Sequence, residues 1–256
     1  MKVSDIKTLI ERAFPPYLAE EWDNVGLLAG YENKEVKKVL LTLDITPFVV
    51  KEAIDAKVDM IVSHHPMMFS GVKKITDATV EGKMLLDLIG SGIAVFAAHT
   101  NLDSGKCGLN DWLADIFELQ NAEVVLKGNT EGAGLGRIGD LPNAMTAREF
   151  ALIANERLDT TVRISGDLDK VIKRVAVGSG ASDDIAPTAV SMGADLVLTG
   201  DLKYHRTQDI VALGCVMVDA GHYPTEIMSI DIFEEILKDT DVEIIKSKNK
   251  DIFKYI

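Results

Sequence analysis

The chain is poor in cysteine and poor in positive charge. Two thiols, Cys107 and Cys215, lie in no Cys-x-x-Cys pair among 256 residues. That excludes a disulfide framework, and a reducing, cytoplasmic setting with both thiols buried is the simplest expectation. Only 27 Lys and Arg stand against 40 Asp and Glu, for a formal net charge of −13. Generic nucleic-acid or anionic-membrane binding needs basic patches, so nucleic acid is not an expected partner. No run of about 18 apolar residues occurs, which leaves nothing to span a membrane. The N-terminal MKVSDIKTLIERAF interrupts its apolar residues with Asp5, Lys7, Glu11 and Arg12 at helical spacing, the wrong pattern for a signal peptide. With 47% apolar residues the chain has ample material for a core.

What remains reads as alternating strands and helices. KVLLTLD (38–44) is a β-branched and Leu-rich run, a helical pattern follows over 47–56, and DMIVS (59–63) is a second apolar run. A helix over 80–90 leads to GIAVFAA (92–98), and a further helix fits 109–119. Near-continuous apolar strands belong to a parallel sheet covered on both faces. A strand is expected near 122–126. The Gly-rich EGAGLGRIG (131–139) then marks a hairpin or junction.

The second half repeats the first. An offset of 136 aligns KKVLLTL (37–43) with KRVAVGS (173–179), and VDMIVS (58–63) with ADLVLT (194–199). With a shift, GIAVFAAHT resembles GCVMVDAGH at 214–222. The expected fold class is α/β, with two similar three-layer lobes from an internal duplication. Residues 1–130 are expected to form the first lobe and 131–256 the second, the two intertwined, with the C-terminal segment adding to the first.

Of five histidines, His64, His65, His99 and His222 fall immediately after predicted apolar strands, where α/β sheets place their ligand crevices. At a strand end before Pro66 the chain turns, so adjacent imidazoles can reach neighbouring points. His222 and Glu226 are four apart, with Pro224 suited to the first turn of a helix. Asp103, four beyond His99 in a polar loop, can add a carboxylate. Two metal ions with three protein ligands each need six bonds, and His64, His65, Asp103, His222 and Glu226 supply six if Glu226 bridges. This nitrogen and oxygen set without thiolate suits Zn, Mn, Fe or Co in an open site. Two such ions would lower the pKa of a bridging water and polarise a carbonyl or phosphoryl oxygen. In this reading His64 and His222 favour one ion, His65 and Asp103 the other, and His99 or His205 handles protons or substrate; His99 can instead orient a ligand. Trp22 can stack on a ring, with Asp23 and Asn24 reaching substrate, or it can be buried beside a polar turn. Lys73, Lys74, Lys203 and Arg206 can offset the acidic surface, or be ordinary solvated side chains. GAGLGR and GSGAS lack the ends of a phosphate loop and read as turn glycines.

The segments EEWDNVGLLAG (20–30), SHHPMMF (63–69), AHTNLD (98–103), TGDLKYH (199–205) and GHYPTE (221–226), in that order, resemble the NIF3-like family, also called the GTP cyclohydrolase I type 2 homologs. The resemblance implies a dinuclear centre, two divalent ions per subunit, to which His64, His65, Asp103, His222 and Glu226 correspond, with Glu226 touching both ions. It also implies two α/β lobes around a cleft and a ring-shaped homohexamer. The span 131–173 is too short for the domain that longer members insert there. The function expected is metal-dependent hydrolysis of a small molecule, a nucleotide or cyclic amidine among the options. The rival is a metal-stabilised hexameric scaffold that binds a protein or handles metal without turnover.

Overall fold

A computed structural model describes residues 1–254. In chain order the elements are α1 (Val3–Ala13), β1 (Gly26–Ala29), β2 (Lys38–Thr42), α2 (Pro47–Asp55), β3 (Met60–Ser63), α3 (Val80–Gly90), β4 (Ala94–Ala97), α4 (Thr100–Ser104), α5 (Leu109–Ile116), β5 (Gln120–Lys127), β6 (Gly134–Thr146), α6 (Ala147–Arg157), β7 (Arg163–Ser165), β8 (Val171–Val177), α7 (Ala186–Ser191), β9 (Leu196–Thr199), α8 (Tyr204–Ala212), β10 (Val216–Asp219), α9 (His222–Glu226), α10 (Ser229–Leu237) and β11 (Glu243–Lys246). They form two compact units, Met1–Leu102 with Ser229–Lys250, and Asp103–Met228 with 251–254. The boundary therefore falls inside α4. Of the two expectations for the Gly-rich segment, hairpin or junction, the structure has the hairpin: it turns antiparallel β5 into β6, closed by the Gly128 N–H on the Ala133 carbonyl at 2.9 Å, and does not divide the units.

The first unit carries the sheet β1-β4-β3-β2-β11, parallel throughout except for the antiparallel edge strand β1. Strands β2, β3 and β4 are buried almost end to end, as their unbroken apolar sequences require. Leu40, Ile61 and Val95 pack with Val49, Val50 and Ala53 of α2 and Leu88 of α3. α1 and α10 pack against each other and against the sheet, completing three layers. Helix starts follow local chemistry. Thr46 accepts from the Val49 N–H ahead of Pro47, and Thr79 accepts from the Gly82 N–H.

The second unit carries the sheet β5-β6-β8-β9-β10-β7, whose central strands β8, β9 and β10 are parallel. Ala176, Val197 and Met217 pack with Ala186 and Ala189 of α7 and Ile210 of α8. On the remaining side the Phe117 ring, just beyond α5, meets Phe150 of α6 at 5.0 Å.

One polar device appears in both units at the spacing of the sequence repeat. Asp59 accepts from the Lys37 and Lys38 N–H groups at 2.8 and 3.1 Å, and Lys34 Nζ donates to the Asp59 and Gly92 carbonyls at 3.1 and 2.6 Å. Asp195 accepts from the Lys173 and Arg174 N–H groups at 2.9 and 3.0 Å, and Lys170 Nζ donates to the Asp195 and Gly214 carbonyls at 3.2 and 2.9 Å. Burial by itself would raise both carboxyl pKa values, but the amide hydrogen bonds and the lysine more than offset it. Both acids titrate below the usual range.

In each unit the parallel strands end level. Thr42 pairs with Ser63 and Ser63 with Ala97, while Thr199 pairs with Asp219. The segments beyond these carboxyl ends are thus presented side by side, and His64, His65, His99 and His222 all stand within three residues of a strand end.

Candidate metal centre

In the first unit the strand ladder continues past β3, with the His64 and His65 N–H groups donating to the Thr42 and Leu43 carbonyls at 3.2 and 3.0 Å. This fixes both backbones before Pro66. The His64 and His65 rings lie 5.0 Å apart, and each is within 5.4 Å of the His99 ring. Ligand nitrogens of the three approach within 4.8 Å of one another.

Each ring is aimed by its Nδ1. His64 Nδ1 lies 2.9 Å from the Ala98 carbonyl oxygen, His65 Nδ1 2.7 Å from Asp44 Oδ1, and His99 Nδ1 2.9 Å from Asp23 Oδ1. A carbonyl or carboxylate only accepts, so Nδ1 carries the proton and the neutral ring's lone pair sits on Nε2. Metal-binding histidines are held in this way. The Asp23 side chain is fully buried and is also bound by the Thr100 N–H and hydroxyl. Burial works to raise its pKa, but the bonds from His99 and Thr100 prevail and hold it at about 2.

In the second unit Gly221, at φ 84°, turns the chain out of β10 into α9, and the i,i+4 spacing brings His222 and Glu226 onto one face. His222 Nδ1 lies 2.8 Å from Asp201 Oδ2, and His222 Nε2 lies 2.9 Å from Glu226 Oε2. Carboxylate oxygens of Asp103 and Glu226 also come within 4.8 Å of each other. Both acids are buried. Asp103 Oδ1 accepts from the Ser179 hydroxyl at 3.0 Å, and its carbonyl accepts from Asn110 at 3.1 Å. Beside Ser179, Gly180 has φ +54°, and a Cβ there would stand 2.0 Å from Glu226 Oε1 and 3.1 Å from His222 Nε2. The loop after β8 is thus a cradle shaped around the Glu226 carboxylate.

The donor set fits a divalent metal. Buried carboxylates stay ionised beside a cation, the imidazoles are set as Nε2 donors, and among the described residues no thiolate belongs to these groups. At 2.9 Å, His222 Nε2 and Glu226 Oε2 are near enough to share one ion, since two ligand atoms about 2.1 Å from a tetrahedral ion stand roughly 3.4 Å apart.

Several sequence expectations change. Asp103 lies in the short helix α4 rather than a loop, because Asp23 holds the Thr100 N–H and the Leu102 N–H donates to the His99 carbonyl. Of the two alternatives for this segment the buried tryptophan is excluded, since Trp22 is 61% exposed; the Asp23 side chain is buried against His99. Asn24 is tied to the Met68 carbonyl at 2.7 Å. Lys203 and Arg206 pair with buried Asp183 at 3.2 and 3.6 Å, so their charge is already answered within the second unit. His205 stands exposed on the first turn of α8 with its ring against Tyr204 at 5.3 Å. Cys107 is exposed rather than buried; Cys215 is buried. Asp44, Asp201, Ser179 and Gly180 were not legible as site residues. Only the position of each just past a strand end hinted at a role.

Residues 1–252 match the family model described as Duf34/NIF3 (NGG1p interacting factor 3). A Clostridium perfringens protein called a GTP cyclohydrolase 1 type 2 homolog is 38% identical over 262 aligned residues, covering all of both chains. Among solved structures, a Bacillus cereus protein related to NIF3 superposes with a TM-score of 0.92 at 28% identity, covering 100% of this chain and 99% of that one. Reduced HcgD from Methanocaldococcus jannaschii gives a TM-score of 0.84 at 34% identity, covering 97% and 98%. No helix among the described residues is long and apolar enough to cross a membrane.

Proposed function

The chain belongs to the Duf34/NIF3 family, and from that premise we propose that it is a metal-dependent hydrolase of a small molecule, with two divalent ions held by His64, His65, Asp103, His222 and Glu226. The observation that carries the reading is the buried Glu226 carboxylate, cradled at Gly180 with His222 Nε2 2.9 Å away. When bound, such ions supply Lewis acidity that polarises a carbonyl or phosphoryl oxygen and acidifies water. Asp44 and Asp201 hold His65 and His222 as Nε2 donors. Ser179 and Asn110 fix Asp103. His99, its Nδ1 proton held by Asp23, presents Nε2 as a base for moving a proton to or from substrate. The names of relatives point to nucleotides or cyclic amidines as the first substrates to try.

The test uses protein loaded with Mn, Fe, Zn or Co against a panel of nucleotides, phosphoesters, amides and cyclic amidines. Turnover abolished by Glu226→Ala, with the fold retained by circular dichroism, supports the reading. Metal-loaded protein inert to the whole panel, yet recovered with one stoichiometric protein partner, points to the scaffold instead. Elemental analysis with anomalous scattering at each metal edge fixes the identity and number of ions.

A further inference from the structure

Two large aromatic side chains of the first unit stand exposed against one histidine. Trp22 is 61% and Phe69 54% exposed, and their ring centroids lie 5.9 and 5.6 Å from the His99 ring at interplanar angles of 73° and 79°. Leaving so much aromatic surface in water forgoes the gain of burying it, so a surface that holds both rings in place needs a reason.

Their backbones are held firmly. Trp22 precedes Asp23, whose carboxylate is bound by His99, the Thr100 N–H and the Thr100 hydroxyl. Phe69 follows Met68, whose carbonyl accepts from Asn24 Nδ2 at 2.7 Å. One short segment, Trp22 to Asn24, therefore positions the tryptophan, aims His99 and tethers the loop that carries the phenylalanine. The Asp23 carboxylate, the Asn24 amide nitrogen and His99 Nδ1 serve as anchors, while Trp22 and Phe69 stand exposed. Apolar walls beside a few convergent polar groups are the usual make-up of a small-molecule site.

We propose that Trp22 and Phe69 are the ring-binding walls of the substrate site at His99, and that they take a planar, π-rich ring, a nitrogen heterocycle of nucleobase size. The proposal rests on the metal-centre reading only in placing that ring beside the reacting groups. Ring recognition is then by stacking, which tolerates many heterocycles and rejects saturated or acyclic analogues of the same size.

The test reads Trp22 directly. The chain has two tryptophans, so Trp112→Phe leaves Trp22 as the sole indole emitter. Guanosine and adenosine are titrated against this variant, with ribose as the ring-free control, and calorimetry on the unaltered chain supplies a second measurement. The expected result is saturable quenching by both nucleosides and none by ribose, weakened about tenfold by Phe69→Ala and restored by Phe69→Tyr. Linear quenching that never saturates, equal response to ribose, or an affinity untouched by Phe69→Ala overturns the proposal. Zn2+ and Mn2+ titrations of the Trp22→Ala and Phe69→Ala variants should match the unaltered chain. Metal binding without ring binding refutes the aromatic walls alone, whereas ring binding without metal binding refutes the metal centre and leaves the walls standing.

Discussion

Replacing Gly180 by alanine adds one methyl group at the place where the second unit has no room for it. The new Cβ would stand 2.0 Å from Glu226 Oε1 and 2.9 Å from its Cδ, where real Cβ atoms essentially never come below 3.0 Å, so something must move by about 1 Å. Glu226 is 4% exposed and cannot simply swing into water. If the carboxylate stays, the backbone takes the strain. Overpacking costs about 1–3 kcal/mol, and an L-residue at φ +54° adds roughly 1–2 kcal/mol. If the carboxylate moves, its shift is about five times the roughly 0.2 Å tolerance of a metal–ligand distance. Either way the ligand set is damaged. Zn2+ and Mn2+ affinity measured by chelator competition should fall by at least the ~10–100-fold seen when a ligand-orienting residue is lost. Thermal unfolding monitored by far-UV circular dichroism apportions the rest. Gly90→Ala is the control, since nothing lies within 4 Å of its added Cβ. A Gly180→Ala protein with unchanged melting temperature and unchanged metal affinity would refute the argument that Glu226 is a ligand packed against this loop.

Further outcomes follow from the same contacts. Asp44→Asn and Asp201→Asn, whose side chains are 42% and 50% exposed, should preserve the fold and lower metal affinity about 10–100-fold, because His65 and His222 lose the carboxylates that set their tautomers. Asp59→Asn and Asp195→Asn should each lower the melting temperature at neutral pH. Their folded pKa values lie below the unfolded value, so the stabilisation is present above pH ~4 and is lost as the pH falls through the folded values. The gap between each variant and the parent, followed by melting temperature against pH, should therefore close on acidification; a gap that widens would overturn the assignment. Ellman's reagent should titrate one thiol in the native protein and two after denaturation, since Cys107 is exposed while burial pushes the Cys215 thiol up to about 11.

The sequence alone determined the elements and the chemistry at their ends. Unbroken apolar runs became β2, β3 and β4, and the 80–90 periodicity became α3. Histidines placed just past those runs were legible as candidates, and HYPTE was legible as a helical turn joining His222 to Glu226. Lys34 with Asp59 and Lys170 with Asp195, 136 residues apart in the chain, make the same contacts. These features are local, set by side-chain period and backbone preference. Asp44 reaches His65 because β2 lies beside β3, and Asp201 reaches His222 because β9 lies beside β10. Asp23 finds His99 across 76 residues of chain. Only the tertiary structure decided those pairings, because strand order and level register, neither written in any local pattern, determine which carboxylate stands within hydrogen-bond reach of an imidazole.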